Sequence, residues 1–493
     1  MGGPLVPARK CGTGSRKQGH GIDLGKSEWF VVPKEAGEPT PRDPVEGRDH
    51  LGIRPEEGKM TRALDLGKIS TRLTRIGKKA KEAPELAFTS LAHNIDIYFL
   101  WEAFRQTRKD SATGIDDVTW DDYAVNWQDN LNTLKEKAKS GSYKAPPSKR
   151  AYIPKSKTSK RPIALPTLED KVLQRAASML LGAVYEQDFY NFSYGFRPGK
   201  SQHQAVHAVR ERLQGAAGGW VLEVDVKGFF DAISHKHLRG FLDRRIRDGV
   251  LRRLIDKWLK AGVLEDGVVK HAKSGTPQGS VISPILANIY LHEVLDKWFV
   301  ERVRLGMEGA AEIFRYADDF IIVFDNRRDA ERAHEAIVKR FAEYNLEVHP
   351  EKTKLTDFRR PVGNRKGRGS FTFLGFTFYW AISRKGYPVV KRKTAKEKYR
   401  KSLGGIKDWC CRNRHKPVAY QQRKLNEKLR GHYAYYGIRG NYEALSKYLH
   451  QVTKTWRKWL GKRSQRWSGT WEKFRKIYER YPLLRPRIVH RYV

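Results

Sequence analysis

The chain has 493 residues, room for roughly two to four domains with cores of their own. Its 96 Lys and Arg against 55 Asp and Glu give a formal charge of +41, far beyond what solubility requires, and point to a polyanionic partner, nucleic acid first. No apolar run is long enough to span a bilayer and the N-terminal MGGPLVPARK lacks an apolar core, so no membrane partner and a cytoplasmic location are expected.

Residues 1–60 are rich in Gly, Pro and charge without periodicity and read as a flexible leader. From 61 to 134 the pattern is helical, with Leu91, Ile95, Tyr98 and Phe99 on one face. YKAPPSKRAYIPKSKTSKRPIALP at 143–166 reads as a hairpin of two short strands whose tip carries Lys155, Lys157, Lys160 and Arg161. Such a tip can hold a triphosphate, and it can equally be a solvated charge run. A helix follows from Thr167, with Leu168, Val172, Ala176 and Met179 on one face.

YGFRPGKS at 194–201 spaces its glycines wrongly for a phosphate loop, although Arg197 stays open to a phosphate contact. In WVLEVDVKGFF, 220–230, period-two alternation puts Val221, Glu223 and Asp225 on one face and Leu222, Val224 and Val226 on the other. An acid ending an apolar strand costs free energy unless compensated, so Asp225 is a metal-ligand candidate, with Asp231 as its competitor. SGTPQGSVISPILAN at 274–288 is a glycine-punctuated loop entering a helix, with Ser283 suited to the N-cap and Pro284 to the first position. His292-Glu293 opens like a zinc-protease helix, but Asp296 stands where the second histidine belongs.

EIFRYADDFIIVFD at 312–325 reads as strand, turn, strand, with Asp318 and Asp319 at the turn. Adjacent carboxylates repel unless a cation lies between them and a third acid, which makes the turn half of a metal site. A helix near 329–344 and a strand pair around FTFLGFTFY, 371–379, complete a mixed domain with an antiparallel sheet. The last 113 residues hold 32 Lys and Arg against 6 Asp and Glu, a net +26. Within them Leu445, Leu449, Val452, Trp456 and Trp459 recur at helical spacing and read as core. The three cysteines, Cys11, Cys410 and Cys411, contain no Cys-x-x-Cys pair; the adjacent two read as packing residues.

KRPIALPTLEDKVLQ, FSYGFRPGKS, VDVKGFFD, SGTPQGSVISPILANIYL, FRYADDF, VHPEKTKL and FLGF, in that order, resemble the sequence blocks of group II intron reverse transcriptases. RKLNEKLRGHYAYYGIRGN at 423–441 resembles the family's helical thumb, the maturase domain. The resemblance implies an α+β right-hand polymerase with fingers, an antiparallel-sheet palm and an α-helical thumb. On that basis 1–60 would be the leader and 61–219 the N-terminal extension and fingers. The palm would span 220–380, the thumb 381–465, and a basic nucleic-acid-binding tail 466–493.

The resemblance also assigns roles. Asp225, Asp318 and Asp319 would hold two Mg²⁺ ions, with the Val226 carbonyl as a further ligand. Lys155 and Arg161 would grip the incoming dNTP, Phe230 would exclude a ribose 2′-hydroxyl, Gln278 would border the nascent base pair, and Lys352 would lie near the phosphates. Leu374 and Gly375 would form the primer grip. The implied activity is RNA-directed DNA polymerisation on an RNA template and DNA primer. Splicing assistance to a bound group II intron RNA and retrohoming into target DNA would accompany it. The alternatives are a reverse transcriptase of another retroelement or defence system, and an RNA-binding splicing factor with an idle site. From Gly461 onward there is no cysteine and one histidine, His490, which points to the family branch lacking an endonuclease domain.

Overall fold

The computed structural model describes residues 58–154, 160–265, 267–271, 274–362, 369–463 and 470–490. Lys155, Lys157 and nearly all of the expected leader lie outside the described residues. The helix Leu168–Tyr185 is the axis of the N-terminal half. Thr167 caps it by accepting the Asp170 N–H, and the expected face Leu168, Val172, Ala176 and Met179 is buried along with most of the other side chains. A helix apolar nearly all round needs neighbours on several sides; Gly58–Glu82, Ile97–Arg105 and Ser283–Leu291 supply them. Leu91, Ile95 and Phe99 are buried as spaced, but a short 3₁₀ turn at Ala92–Asn94 interrupts the pattern and Tyr98 ends exposed.

The basic hairpin forms as spaced, with Ser148–Pro154 antiparallel to Lys160–Leu165 and Ile153 opposite Arg161. Val263–Glu265 and Val268–Lys270 extend it to four strands. The central sheet runs Ala311–Tyr316, Asp319–Phe324, Trp220–Val224, Lys354–Asp357, all antiparallel. Its alternation resolves into two cores. Leu222, Val224 and Ile322 pack into the large helical core, while Val221, Ile321 and Val323 face a second one with Phe371, Phe376 and Phe378.

That second core rests on another antiparallel sheet, Ser370–Phe373, Phe376–Ile382 and Pro388–Thr394. The third strand, PVVKRKT, lies beyond residue 380, where the sequence reading starts the thumb. Its alternate positions Val390, Arg392 and Thr394 are buried, and the basic residues among them hide the strand signal. The helical domain begins at Lys396–Arg412 and continues through Val418–Tyr436 and Tyr442–Gly461 around Cys410, Leu425, Leu429, Leu445, Val452 and Trp456.

The expected basic tail differs over its described part: it is built into this helical core. Helix Trp471–Arg480 buries Phe474 against Trp456, ring centroids 5.6 Å apart and nearly perpendicular, and Leu483 joins the same core. These widely spaced apolar anchors among arginines and lysines give little periodic signal. No helix among the described residues is long and apolar enough to cross a membrane.

Candidate active site

Tyr316 faces Asp319 across the central hairpin, leaving Ala317 and Asp318 as a two-residue turn. Ala317 sits at φ 57, a conformation that glycine or asparagine adopts more readily. Its neighbours hold it there. Arg315, fully buried, pairs with Asp296 (Nε to Oδ1 2.8 Å), and its Nη1 donates to the Asn288 side-chain oxygen at 3.1 Å and to the Ala317 carbonyl at 3.2 Å. On the other side Gly195 lies so close that a Cβ there would stand 2.2 Å from the Ala317 nitrogen. Asn288 donates to the Gly195 carbonyl at 2.7 Å, and the Tyr194 N–H donates to the Arg315 carbonyl at 2.8 Å.

The YGF loop is therefore a buttress for the acid turn, a use its glycine spacing does not announce. Arg197 is spent on structure. It pairs with Glu186 at 3.0 Å and donates to the Tyr190 and Ser193 carbonyls at 2.7 and 2.8 Å, which closes the phosphate contact left open for it.

Asp225 follows directly on Trp220–Val224, the strand paired with Asp319–Phe324. The segment after the hairpin fastens this exit. His349 N–H donates to the Asp225 carbonyl, Lys227 N–H to the Glu347 carbonyl, and buried Val226 bridges Val348. Lys352 Nζ stands 3.3 Å from Asp225 Oδ1. Loss of solvation raises the Asp318 carboxyl, Asp225 adds to the rise, and Arg161 and Arg315 oppose it. Asp319 opens onto a cleft yet is pushed up to about 6, first by lost solvation and then by Asp318 and Asp225, against the relief given by Lys398 and Arg161. Asp318 and Asp319 thus both feel the charge of Asp225 from the end of the neighbouring strand.

Two cavities are lined by the expected site residues. The lower, about 610 Å³, is lined among others by Asp225, Asp319, Lys352, Leu374, Gly375 and Tyr435. The upper, about 350 Å³, is lined among others by Arg161, Arg175, Phe196, Phe230 and Gln278. Gln278 Nε2 reaches Asp231 Oδ2 at 3.4 Å, so Asp231 holds this loop rather than joining the three acids. The Gln278 carbonyl accepts the Ala164 N–H at 2.6 Å, seating the loop against the basic hairpin.

A buried chain of polar groups positions that loop, and sequence reasoning missed it. Gln174 Oε1 accepts Ser280 Oγ at 2.6 Å and the Val281 N–H at 2.9 Å, while its Nε2 donates to Asp170, which also accepts the Tyr143 hydroxyl at 2.8 Å. Burial pushes Asp170 up to about 6. The only available signal was the placement of Asp170 and Gln174 one helical turn apart. Ser283 differs from its expected role. Ile282 is the N-cap without a side-chain bond, and the Ser283 hydroxyl donates to the Pro277 carbonyl at 3.0 Å instead. Glu223 was likewise missed; burial raises it, and it accepts the Thr372 N–H at 3.2 Å, tying the second sheet to the first.

As arranged, no three His, Cys, Asp or Glu side chains among the described residues stand close enough to hold a metal ion. The donor chemistry nonetheless fits a hard divalent cation: the acids offer oxygen only, they repel one another, and the Lys352 ammonium already supplies a positive charge beside Asp225.

Acids on an antiparallel sheet, a basic strand layer above them and a helical domain beyond the second sheet make the right-hand polymerase fold. Residues 153–378 match the reverse transcriptase (RNA-dependent DNA polymerase) family model. The chain is 38% identical over 234 residues to the group II intron-encoded protein LtrA of Lactococcus lactis, covering 46% of this chain and 38% of that protein. It is 32% identical over 300 residues to protein YkfC of Escherichia coli, covering 55% of this chain and 76% of that one. The telomerase structure from Candida albicans aligns at a TM-score of 0.38 and 15% identity over 73% of this chain and 66% of that one, too remote to carry an argument. The chain belongs to the group II intron reverse transcriptase and maturase family. It spans well under half the length of the Lactococcus relative.

Proposed function

We propose that the protein is an RNA-directed DNA polymerase that binds its group II intron RNA, assists its splicing and copies it into DNA during retrohoming. One observation carries the reading: Asp225, Asp318 and Asp319 lie at the neighbouring ends of adjacent antiparallel strands, where the charge of Asp225 reaches both other carboxyls and Arg161 opposes the rise. Bound by these carboxylates and the Val226 carbonyl, two Mg²⁺ ions would activate a primer 3′-hydroxyl and neutralise the departing pyrophosphate.

This chain's own groups do the rest. Arg161, with Lys155 six residues before it, binds the triphosphate of a dNTP whose negative charge exceeds what the metal site cancels. Phe230 and Gln278, both on the upper cavity, bound the sugar and the nascent base pair. Lys352 neutralises charge near the phosphates, and Leu374-Gly375 holds the primer end in the lower cavity. The +26 C-terminal region and the N-terminal helices grip structured RNA through its phosphates and shape. Target DNA is the final acceptor in this scheme.

The test is to sequence the RNA that copurifies with the protein from its own host at moderate salt. A single folded species excised from a longer transcript supports the intron partner. A diffuse pool of cellular RNA removes the maturase part and leaves a reverse transcriptase of another element.

A further inference from the structure

The turn Leu374-Gly375 joins two strands with Phe373 opposite Phe376, so it is a two-residue hairpin loop. Both residues have positive φ, 48 and 79. Gly375 accepts this freely, whereas a leucine there is held against its preference. What holds it comes from the helical domain. Tyr435, in the last turn of helix Val418–Tyr436, donates its hydroxyl to the Leu374 carbonyl at 2.8 Å. The Ala395 N–H donates to the Gly375 carbonyl at 2.9 Å.

Tyr435 is itself held on three sides. Its ring stacks on Phe376, centroids 5.7 Å apart and 18° between planes. Its backbone carbonyl accepts from His203 Nε2 at 2.8 Å, and a carbonyl can only accept, so Nε2 carries the proton. The His203 ring stacks on His490 at 3.7 Å; His490 Nε2 in turn donates to the Ala434 carbonyl at 2.8 Å, and the Val489 and His490 N–H groups both donate to the Gly437 carbonyl. The segment near His490 thus clasps the end of the helix that carries Tyr435. Tyr435 also lines the lower cavity with Asp319, whose charge reaches it.

We propose that Tyr435 is a positioning residue for the primer terminus. Its hydroxyl fixes the Leu374 carbonyl, the turn fixes the primer 3′ end relative to Asp319, and His490 sets the position of Tyr435 from behind. The inference rests on the polymerase reading above.

The experiment compares the full chain with Tyr435→Phe and His490→Ala. Single-nucleotide extension of a preformed RNA template–DNA primer is followed in single turnovers over a dNTP series, beside thermal unfolding. Tyr435→Phe keeps the ring and loses one hydrogen bond. The expected result is a maximal rate lowered about five- to tenfold, as for one lost neutral hydrogen bond, with an unchanged dNTP concentration at half rate and an unchanged melting temperature. His490→Ala lowers the same rate less, and the double variant falls short of the product of the two effects. An unchanged maximal rate in Tyr435→Phe overturns the proposal, as does a lowered melting temperature with a normal rate per folded molecule. If the parent chain itself fails to extend the primer, the polymerase reading is at fault instead.

Discussion

Individual residues around the cleft divide into groups that face it and groups that hold those in place. Phe230 belongs to the first: half-buried, it lines the upper cavity together with Arg161. Phe230→Val should open room for a 2′-hydroxyl and lower the preference for dNTPs over rNTPs by about tenfold or more; an unchanged ratio in competitive incorporation counts against the gate. Asp170 belongs to the second group. Its folded pKa, about 6, lies above the ordinary 3.8, so the folded state binds the proton more tightly than the unfolded one. The stability Asp170 contributes is therefore present in full below about pH 4 and lost as pH rises through about 6. Measured by urea unfolding, the stability gap between the parent and Asp170→Asn should move in the parent's favour by on the order of 3 kcal/mol from pH 7 to pH 4. A gap independent of pH contradicts this account of the buried network.

The three strand-end acids were the legible residues. Acids at strand ends stand out against apolar flanks, so Asp225, Asp318 and Asp319 could be picked from their spacing, whereas the basic hairpin tip left two readings open and Arg161 was singled out only by the family resemblance. Gln174 and Arg315 could not be picked, because a buried polar side chain looks like any surface one until its partners are known.

At the scale of elements, the acid hairpin is braced by pieces distant in sequence: the loop at Gly195, Asn288 on helix Ser283–Leu291, and Asp296 just beyond that helix. The approach at Gly195 makes a specific prediction. In Gly195→Ala the new methyl would lie 2.2 Å from the Ala317 backbone nitrogen, so the turn must move. A displacement near 1 Å should cost primer extension about a hundredfold while RNA binding persists. Full extension by a folded variant means the loop does not position the turn.

The elements that could be read had one clean period. Trp220–Val224, the acid hairpin and Leu168–Tyr185 all announced themselves by apolar spacing, while the pairing of the first two became legible only in the structure. Pro388–Thr394 did not, because three of its seven residues are basic and its pairing with Phe376–Ile382 is what makes it a strand. Trp471–Arg480 was hidden for the same reason: one buried residue, Phe474, anchors a helix otherwise built of charge and half-exposed rings.

Over the whole molecule, the acids gather on one sheet while the positive charge concentrates in the last 113 residues. This separation lets the proposed polymerase centre carry carboxylates without repelling the nucleic acid that brings them their substrate. The two regions are joined where Tyr435, Lys398 and Gly375 share the lower cavity.

The most direct measurement is extension of a DNA primer on an RNA template by the purified chain with Mg²⁺, beside Asp318→Asn, with RNA binding measured for both. The account predicts extension by the parent, none by Asp318→Asn, and RNA affinity within about twofold for the two, since the substitution removes one carboxylate and adds no bulk. Extension by Asp318→Asn near the parent rate would contradict the assignment of the acids, and absence of extension by the parent would contradict the polymerase itself.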